Sequence, residues 1–223
     1  MPRASLPGAD ALFGPRPEPE PSETRAGARV AADRQIIHLC KELFAAEPEA
    51  VAQSKQVGHE SGVSAEVGAL LRWLVGRFAP MSLVEVGSAG GTTGLWMLEA
   101  MARQAVLTSI EADEQSHKVA NEVFVKAEAG RRIRAINADT RTILPRLSDA
   151  GYGMMLLHRP DPTDLADVRR LLQPGGFVVT LSVADPRYGK DAERFLHQLA
   201  DDGQFDTAFL PIDSGVAVST FQS

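Results

Sequence analysis

A histidine stands at the end of a short apolar run, where α/β proteins commonly carry out their chemistry. The run Met154–Leu157 is followed at once by His158 and then by Pro160. Such a run is typical of a buried parallel strand, and ligands bind just past the carboxyl ends of these strands. Imidazole normally titrates near neutral pH, so His158 is a candidate general base that Asp161 or Asp164 could orient. The alternative is a histidine that only hydrogen-bonds a backbone group or the edge of a ligand.

Glycine is concentrated in the stretch VEVGSAGGTTGLWM, residues 84–97. Glycines let the backbone turn and let a ligand approach closely, and the helix that follows offers free N–H groups to an anion. The stretch departs from the dinucleotide fingerprint GxGxxG, because Ala89 replaces the second glycine. Glu85 lies inside the apolar strand before it and needs a partner, since a buried carboxylate is costly alone. An ammonium-bearing ligand, or an internal salt bridge, would supply that partner.

Two further acids close predicted strands. Glu111 ends the strand 105–111, and a carboxylate there can accept hydrogen bonds from both hydroxyls of a ribose. Asp139 ends the strand 132–139, where it could contact an adenine or cap the helix that begins at Thr140. Both alternatives for Asp139 stay open at this point.

Strands and helices that alternate along the chain must position these residues. A strand–helix repeat predicts a parallel sheet with helices on both faces. The last two strands are joined by Asp213 and Ser214, which read as a hairpin turn. We therefore predict an α/β fold with a Rossmann-like, doubly wound sheet of seven strands, mostly parallel with a C-terminal antiparallel hairpin. The strands are expected at 83–86, 105–111, 132–139, 154–158, 177–183, 205–212 and 215–222.

The chain before the first strand divides by composition. Residues 1–30 are rich in Pro, Glu, Ala and Gly without periodicity, so we expect a flexible N-terminal arm. Residues 31–223 are expected to form a single domain, in which 31–80 hold the N-terminal helices and 81–223 the Rossmann-like core.

Apolar spacing predicts one of these helices over 33–46 and a second from Ser64. The polar stretch 47–62 between them is expected to be a loop. Both tryptophans, Trp73 and Trp96, are expected to pack in the core.

Composition excludes several classes of protein. The net charge of −6 among 223 residues argues against nucleic-acid binding. One cysteine, Cys40, cannot form an internal disulfide and fits a reducing compartment. No apolar run approaches the length of a membrane span, and the N-terminus has no apolar core of a signal peptide. We expect a cytoplasmic protein with no nucleic-acid or membrane partner.

The ordered set of motifs resembles a known family. The pattern E-V-G-S-x-x-G-x-T at 85–93, the acid Glu111 and the Ala-Asp pair at 138–139 are similar to class I methyltransferases that use S-adenosylmethionine. More narrowly, the chain from about residue 57 onward resembles the catechol-type, metal-dependent O-methyltransferases, the bacterial O-methyltransferase family 3. The segments 63–71, 171–179 and 210–219 resemble that family's segments before its first strand, into its fifth strand and at its closing hairpin.

The resemblance implies a role for each matching residue. Glu111 would hold the ribose, and Asp139 would lie by the adenine. Their neighbours Ala112 and Thr140, and also His158, would contact the cofactor. The methionine part of S-adenosylmethionine would be surrounded by Glu85, Gly87, Ser88, Gly91 and Thr93.

The strand ends depart from the family's metal site. That family ends its fourth strand in D-A-D-K and places D-N on its fifth, which supplies magnesium ligands and a lysine base. Here His158 replaces the first Asp, Asp161 replaces the Lys, and Leu181-Ser182 replace the D-N pair. Magnesium requires several hard oxygen ligands, so we expect no metal site.

The favoured hypothesis is therefore an S-adenosylmethionine-dependent O-methyltransferase that methylates a small-molecule hydroxyl without a divalent metal, with His158 and Asp161 as catalytic candidates. The alternative is an inactive cofactor-binding or regulatory protein on the same fold. A nicotinamide-dependent enzyme is a third possibility, disfavoured by Ala89, Glu85 and the hairpin.

Partners are less readable than the cofactor. His59 and Tyr188 are candidates to line an acceptor pocket, and Arg159 is a candidate to recognise an acidic acceptor. A homodimer is expected, for which the helix 33–46 could supply the contact or could instead cap the acceptor site.

Overall fold

The computed structural model describes residues 34–55 and 62–222. The pattern of contacts divides the chain into two compact units, with the boundary between Leu43 and Phe44. The first helix, α1 (34–44), lies in the first unit up to Leu43. It closely matches the predicted 33–46, and Pro48 follows shortly after its end. Its apolar side chains are exposed, namely Ile36, Ile37, Leu39 and Leu43. The predicted arm 1–30 and His59 lie outside the described residues.

Within residues 62–222, seven strands form one sheet in the order β3-β2-β1-β4-β5-β7-β6. Strands β1 to β5 are parallel, and β7 runs antiparallel to both β5 and β6. This confirms the predicted seven-stranded, mostly parallel sheet with its closing hairpin. The strands are β1 (Ser82–Val86), β2 (Val106–Glu111), β3 (Ile133–Asn137), β4 (Tyr152–Leu157), β5 (Leu172–Leu181), β6 (Phe205–Leu210) and β7 (Val216–Phe221).

Helices cover both faces of this sheet. After α1 they are α2 (Glu49–Lys55), α3 (Ala65–Phe78), α4 (Thr92–Ala100), α5 (Glu114–Lys126), α6 (Thr140–Ile143), α7 (Leu165–Leu171) and α8 (Gly189–Asp201). Helices α3 and α4 share one core with β1, β4 and β5, and α7 and α8 share the core on the opposite face. No helix in the described part of the chain has the length and apolar character needed to cross a membrane.

The sequence misplaces three features. The stretch 47–62 is not all loop, because α2 forms and buries Val51 beside Trp96. Trp73 is not in the core: it is 61% exposed, because the buried stripe of α3 is formed by Val67, Leu71, Leu74 and Val75 on the opposite side. Strand β5 ends at Leu181 rather than 183, because Ser182 adopts a left-handed backbone with φ 58°.

Candidate active site

A cavity of about 530 Å³ opens at the carboxyl ends of the parallel strands. Residues after β1, β2 and β4 line what we call its loop side, namely Gly87, Ser88, Ala89, Glu111 and His158. The remaining lining, which we call its hairpin side, comes from the start of α3, the segment after β5 and the β6–β7 turn. Its members are Gly62, Val63, Val67, Leu181, Ser182, Arg187, Tyr188, Asp213, Ser214, Gly215 and Val216. In open α/β sheets the ligand crevice lies where the strand order reverses, which in this sheet is between β1 and β4.

Gly87 directly follows β1 and adopts a conformation that strongly favours glycine. Its φ is +85°, and a Cβ there would lie 3.0 Å from His158 Cβ. The glycine therefore lets the His158 side chain pack against the loop backbone. Gly91, with φ +88°, permits a similar close approach of the loop to α5.

Glu85 is fully buried, and its carboxylate is satisfied from within the protein. Thr93 Oγ1 donates to Glu85 Oε1, and Ser109 Oγ donates to Oε2 at 2.6 Å. His158 Nε2 lies 3.2 Å from Oε1 and 3.1 Å from Thr93 Oγ1. The internal partner considered for Glu85 is therefore present: it is His158, and the contact becomes an ion pair only when the imidazole is protonated. Neither Glu85 nor Thr93 lines the cavity.

Glu111 ties the ends of β1 and β2 together. Its Oε2 accepts from Ser88 N at 3.0 Å and from Ser88 Oγ at 2.9 Å, and its Oε1 accepts from Asp113 N at 3.1 Å. A carboxylate oxygen accepts about two hydrogen bonds, so Oε1 keeps capacity for one more donor in the cavity. The sequence shows the acid at the strand end but gives no sign of its bond to Ser88.

Asp139 caps α6, which is one of the two roles considered for it. Its Oδ1 accepts from Arg141 N at 2.9 Å. Asn137 was missed by the sequence reasoning: its Nδ2 donates to Glu111 O at 2.9 Å and to Ala112 O at 3.3 Å, which fixes the end of β3 against β2. The sequence signal that could have identified Asn137 is a polar residue at the end of a predicted strand.

The structure does not pair His158 with Asp161 or Asp164, which corrects that expectation. Asp161 Oδ1 accepts instead from Thr163 N at 2.9 Å and from Thr163 Oγ1 at 2.7 Å, in a local turn after Pro160. Burial opposes ionisation of Asp161, but these bonds outweigh it, with help from Arg159 and Arg141, and its pKa lies below the usual value. The ring of His158 is oriented by Glu85.

Asp164 has the opposite character to Asp161. Burial, reinforced by the charge of Asp161, raises the pKa of Asp164 to about 6. Its side chain does not cap α7, although Asp164 occupies the N-cap position. Arg159 is exposed and lies outside the lining of the cavity.

The hairpin side is held together by hydrogen bonds of the β6–β7 turn, from one side chain and from the backbone. Asp213 Oδ2 accepts from Ser64 N at 3.0 Å, which links the turn to the start of α3. Ala184 N donates to Ser214 O at 2.7 Å, and Val183 N donates to Gly215 O at 3.2 Å.

The guanidinium of Arg187, on the hairpin side, is paired with the carboxylate of Asp185. Hydrogen bonds from Arg187 hold the pKa of Asp185 below its usual value, and the Arg187 Nη2–Asp185 Oδ2 distance is 2.6 Å. Tyr188 lines the cavity next to it, and its role toward an acceptor stays a prediction.

The strand ends do not offer a magnesium site. Across residues 34–55 and 62–222 no group of three or more His, Cys, Asp or Glu side chains could hold a metal ion. Two of the positions where the resembled family has metal ligands are Leu181 and His158 here. The Leu181 side chain has no atom that could coordinate a metal, and His158 contacts Glu85 instead. Magnesium takes oxygen ligands in octahedral geometry, which these residues do not provide.

The predicted residues divide into two groups. Gly87, Ser88, Glu111 and His158 meet at the cavity wall. Those that lie outside its lining are Glu85, Gly91, Thr93, Ala112, Asp139, Thr140 and Asp161. Of this second group, Glu85 and Thr93 contact His158 and so help to fix the position of a side chain that does line the cavity.

Solved structures share this architecture. An O-methyltransferase from Bacillus cereus, solved with SAH, superposes with a TM-score of 0.74 at 15% identity, over 84% of this chain and 97% of that one. The O-methyltransferase TomG from Streptomyces achromogenes, solved with SAM, gives a TM-score of 0.73 at 20% identity, over 85% and 96%. At these identities the likeness establishes the fold.

Sequence comparisons establish the family. A family model described as a methyltransferase domain matches residues 84–180. A protein of Mycobacterium sp. (strain JLS) that bears an O-methyltransferase name is 31% identical over 211 residues, 88% of this chain and 93% of that protein. A second such protein, from Mycobacteroides abscessus, is 29% identical over 88% and 99%. The chain therefore belongs to the class I O-methyltransferase family.

Proposed function

We propose that this O-methyltransferase moves the methyl group of S-adenosylmethionine to a hydroxyl oxygen of a small molecule bound on the hairpin side of the cavity. S-adenosylmethionine is the cofactor of the family to which the chain belongs. The observation that supports the proposal is the cavity at the strand ends, in which His158 stands between the glycine-rich loop and the hairpin side. A group able to take a proton thus lies where a methyl donor and an acceptor would meet.

The loop side fits the cofactor. Glu111 would accept one ribose hydroxyl through Oε1, since Oε2 is already occupied by Ser88. Asp139, with Ala112 and Thr140 beside the same strand ends, would border the adenine. Gly87, Ser88 and Gly91 would surround the methionine part, as the resemblance implies.

His158 would take the proton of the acceptor. When bound, S-adenosylmethionine supplies a sulfonium-activated methyl group, so the acceptor needs only deprotonation and alignment. The protein offers Glu85 to compensate the charge that His158 gains. No magnesium is required in this scheme, and no step is assigned to one.

Calorimetric titration with S-adenosylmethionine and S-adenosylhomocysteine, each with magnesium and with a chelator, tests the cofactor site. We expect micromolar binding that does not change with the metal. Binding that requires magnesium would contradict the metal-free site, and no binding would contradict the cofactor role.

Turnover is tested by incubating the protein with S-adenosylmethionine and a panel of phenols and aliphatic alcohols, with S-adenosylhomocysteine release as the readout. We expect a methyl ether product and its loss in His158→Gln. The matched control is His197→Gln, because His197 is an exposed histidine on α8. Cofactor binding with no product from any hydroxyl compound would favour a binding or regulatory protein.

The homodimer and the cytoplasmic location stay predictions, as does the single domain 31–223. Light scattering on the purified full-length chain measures the first directly. A monomer across micromolar concentrations would contradict it.

A further inference from the structure

The contacts of His158 identify which of its two ring nitrogens carries the proton. Nε2 lies 3.2 Å from Glu85 Oε1 and 3.1 Å from Thr93 Oγ1. An ionised carboxylate only accepts, and the single hydroxyl proton of Thr93 is already directed at Glu85 Oε1. An unprotonated Nε2 would therefore face two acceptors with no hydrogen between them. Nε2 carries the hydrogen, and Nδ1 is left with the lone pair.

The packing of the ring shows which edge can reach the cavity. A Cβ at Gly87 would lie 3.2 Å from His158 Cγ and 3.5 Å from its Cδ2, so that edge rests against the loop backbone. Nε2 is enclosed by Glu85, which is fully buried. The His158 side chain is nevertheless 17% exposed and lines the cavity. The Nδ1–Cε1 edge is the part of the ring that remains to face the bound acceptor.

We propose that Glu85 and Thr93 hold neutral His158 as its Nε2–H tautomer, and that Nδ1 is the atom that takes the acceptor's proton. This rests on the proposed function. Glu85 is then a positioning residue that acts through Nε2–H, and its charge stabilises the imidazolium, as a buried carboxylate does behind a catalytic histidine elsewhere. Thr93, which by resemblance would border the cofactor, also helps to position His158, because its hydroxyl contacts both Glu85 and Nε2.

The transfer balances with no further reactant. The O–H bond of the acceptor breaks and its proton goes to Nδ1. The freed oxygen electron pair forms the bond to the methyl carbon, and the electron pair of the broken carbon–sulfur bond stays on sulfur. The products are a methyl ether, S-adenosylhomocysteine and protonated His158, which returns its proton to solvent.

The first test reads the tautomer directly and needs no acceptor. Long-range proton–nitrogen NMR correlations on the 15N-labelled full chain distinguish Nδ1 from Nε2 in each of the five histidines. The His158 ring is assigned by its disappearance in His158→Gln. We expect neutral His158 to be protonated at Nε2, with and without S-adenosylhomocysteine. A Nδ1–H ring, or a rapidly exchanging mixture of tautomers, would overturn the proposal.

The second test separates positioning by Glu85 from contact with the cofactor. In Glu85→Gln we expect the tautomer preference to weaken and kcat to fall about tenfold to a hundredfold, the range for one hydrogen bond to a charged group. Affinity for S-adenosylhomocysteine should stay within about threefold, because Glu85 does not line the cavity. A parallel loss of affinity would make Glu85 a cofactor contact and overturn its positioning role.

Two replacements of His158 divide the roles of its nitrogens. The amide of glutamine reaches about where Nε2 lies, and the amide of asparagine reaches about where Nδ1 lies. His158→Gln should keep a donor for Glu85 and wild-type thermal stability while it loses turnover, whereas His158→Asn should lose both. Appreciable turnover in His158→Gln would overturn the role of Nδ1. The expected tautomer without transfer to any phenol would instead count against the proposed function, which keeps the two failures distinct.

Discussion

The loop side and the hairpin side of the cavity are built from different interactions. On the loop side and directly behind it, side chains of β1, β2 and the loop between β1 and α4 bind one another: Glu111 accepts from Ser88, and the buried Glu85 accepts from Ser109. On the hairpin side, the β6–β7 turn bonds to the start of α3 and to the segment after β5, where the non-glycine residues Ser182 (φ 58°) and Asp213 (φ 47°) adopt left-handed backbone. Strain of this kind persists only where surrounding structure holds it in place.

The difference bears on how each side can change. Residues of the loop side lie at the ends of the central strands β1, β2 and β4. A substitution there would therefore disturb both the sheet and the proposed cofactor position. The hairpin side consists of connections, which can vary while the scaffold stays constant. We therefore expect loop-side substitutions to affect cofactor binding and stability, and hairpin-side substitutions to affect the acceptor.

The largest effect is expected at Gly87. Alanine at this position would adopt φ +85° and bring its Cβ to 3.0 Å from His158. Left-handed strain and overpacking together should lower the free energy of unfolding by about 2–4 kcal/mol, with loss of cofactor binding. Urea unfolding and calorimetry measure the two quantities.

Gly175→Ala is the matched control for this substitution. Its φ is +76°, but a Cβ there would meet nothing within 4 Å. It should lose only the conformational part, about 1–2 kcal/mol, and should leave cofactor affinity unchanged. Equal losses in the two variants would show that contact with His158 plays no part.

The next effect is expected at Glu111, on cofactor affinity. Glu111→Ala removes the acceptor for Ser88 N and Ser88 Oγ, together with the oxygen proposed for the ribose. Affinity for S-adenosylhomocysteine should fall by about 1–3 kcal/mol, as for hydrogen bonds to a charged group. Glu114→Ala, an exposed neighbour on α5 paired with Lys118, is the control. Unchanged affinity in Glu111→Ala would rule out the ribose assignment.

Asp164 lies beyond the end of β4 and lines neither side of the cavity, so it should change stability alone. Its pKa is raised to about 6, so the folded chain binds this proton more tightly than the unfolded chain does. Stability is therefore lost as the pH rises from about 4 to about 6, and the loss stays constant above that.

Asp164→Asn lacks this loss. It should unfold like the wild type at pH 4 and be more stable at pH 7 by on the order of 1–2 kcal/mol, less than the full shift because water screens part of the carboxyl group. Urea unfolding across this pH range measures the difference. A variant that is less stable at pH 7 would show that Asp164 makes a contact worth more than the cost of its burial.

The same division explains what the sequence could predict. The succession of strands and helices along the chain, the closing hairpin and the acids at strand ends follow from local patterns, since apolar runs and glycines report on nearby backbone. Glu85 was recognised as a buried acid in need of a partner. Its actual partner, His158, lies 73 positions away, and only the pairing of β1 with β4 brings them together.

Features that depend on distant packing were missed. The helix α2 was expected to be a loop because the stretch 47–62 is mostly polar, and the burial of Val51 against α4 that helps to stabilise it depends on distant packing. The pairing of Asp161 with His158 seemed natural from their spacing, but the local turn to Thr163 takes up that carboxylate. Nothing local in the sequence indicates that residues 213 and 64 meet.

That last contact gives the smallest predicted effect and the sharpest contrast with the loop side. The bond from Ser64 N to Asp213 Oδ2 joins the start of α3 to the hairpin turn across the cavity wall. Because it is exposed to solvent, Asp213→Ala should lower the free energy of unfolding by less than about 1 kcal/mol. Loss of the link should nevertheless widen the hairpin side, which would raise the acceptor KM severalfold while affinity for S-adenosylhomocysteine stays unchanged. Faster hydrogen exchange at the Ser64 amide would report the loss directly, and Asp213→Asn, which keeps an acceptor oxygen, should restore most of both properties. If Asp213→Ala instead weakened cofactor binding as strongly as Glu111→Ala, the two sides of the cavity would be one cooperative unit, and their separate construction would have no functional meaning.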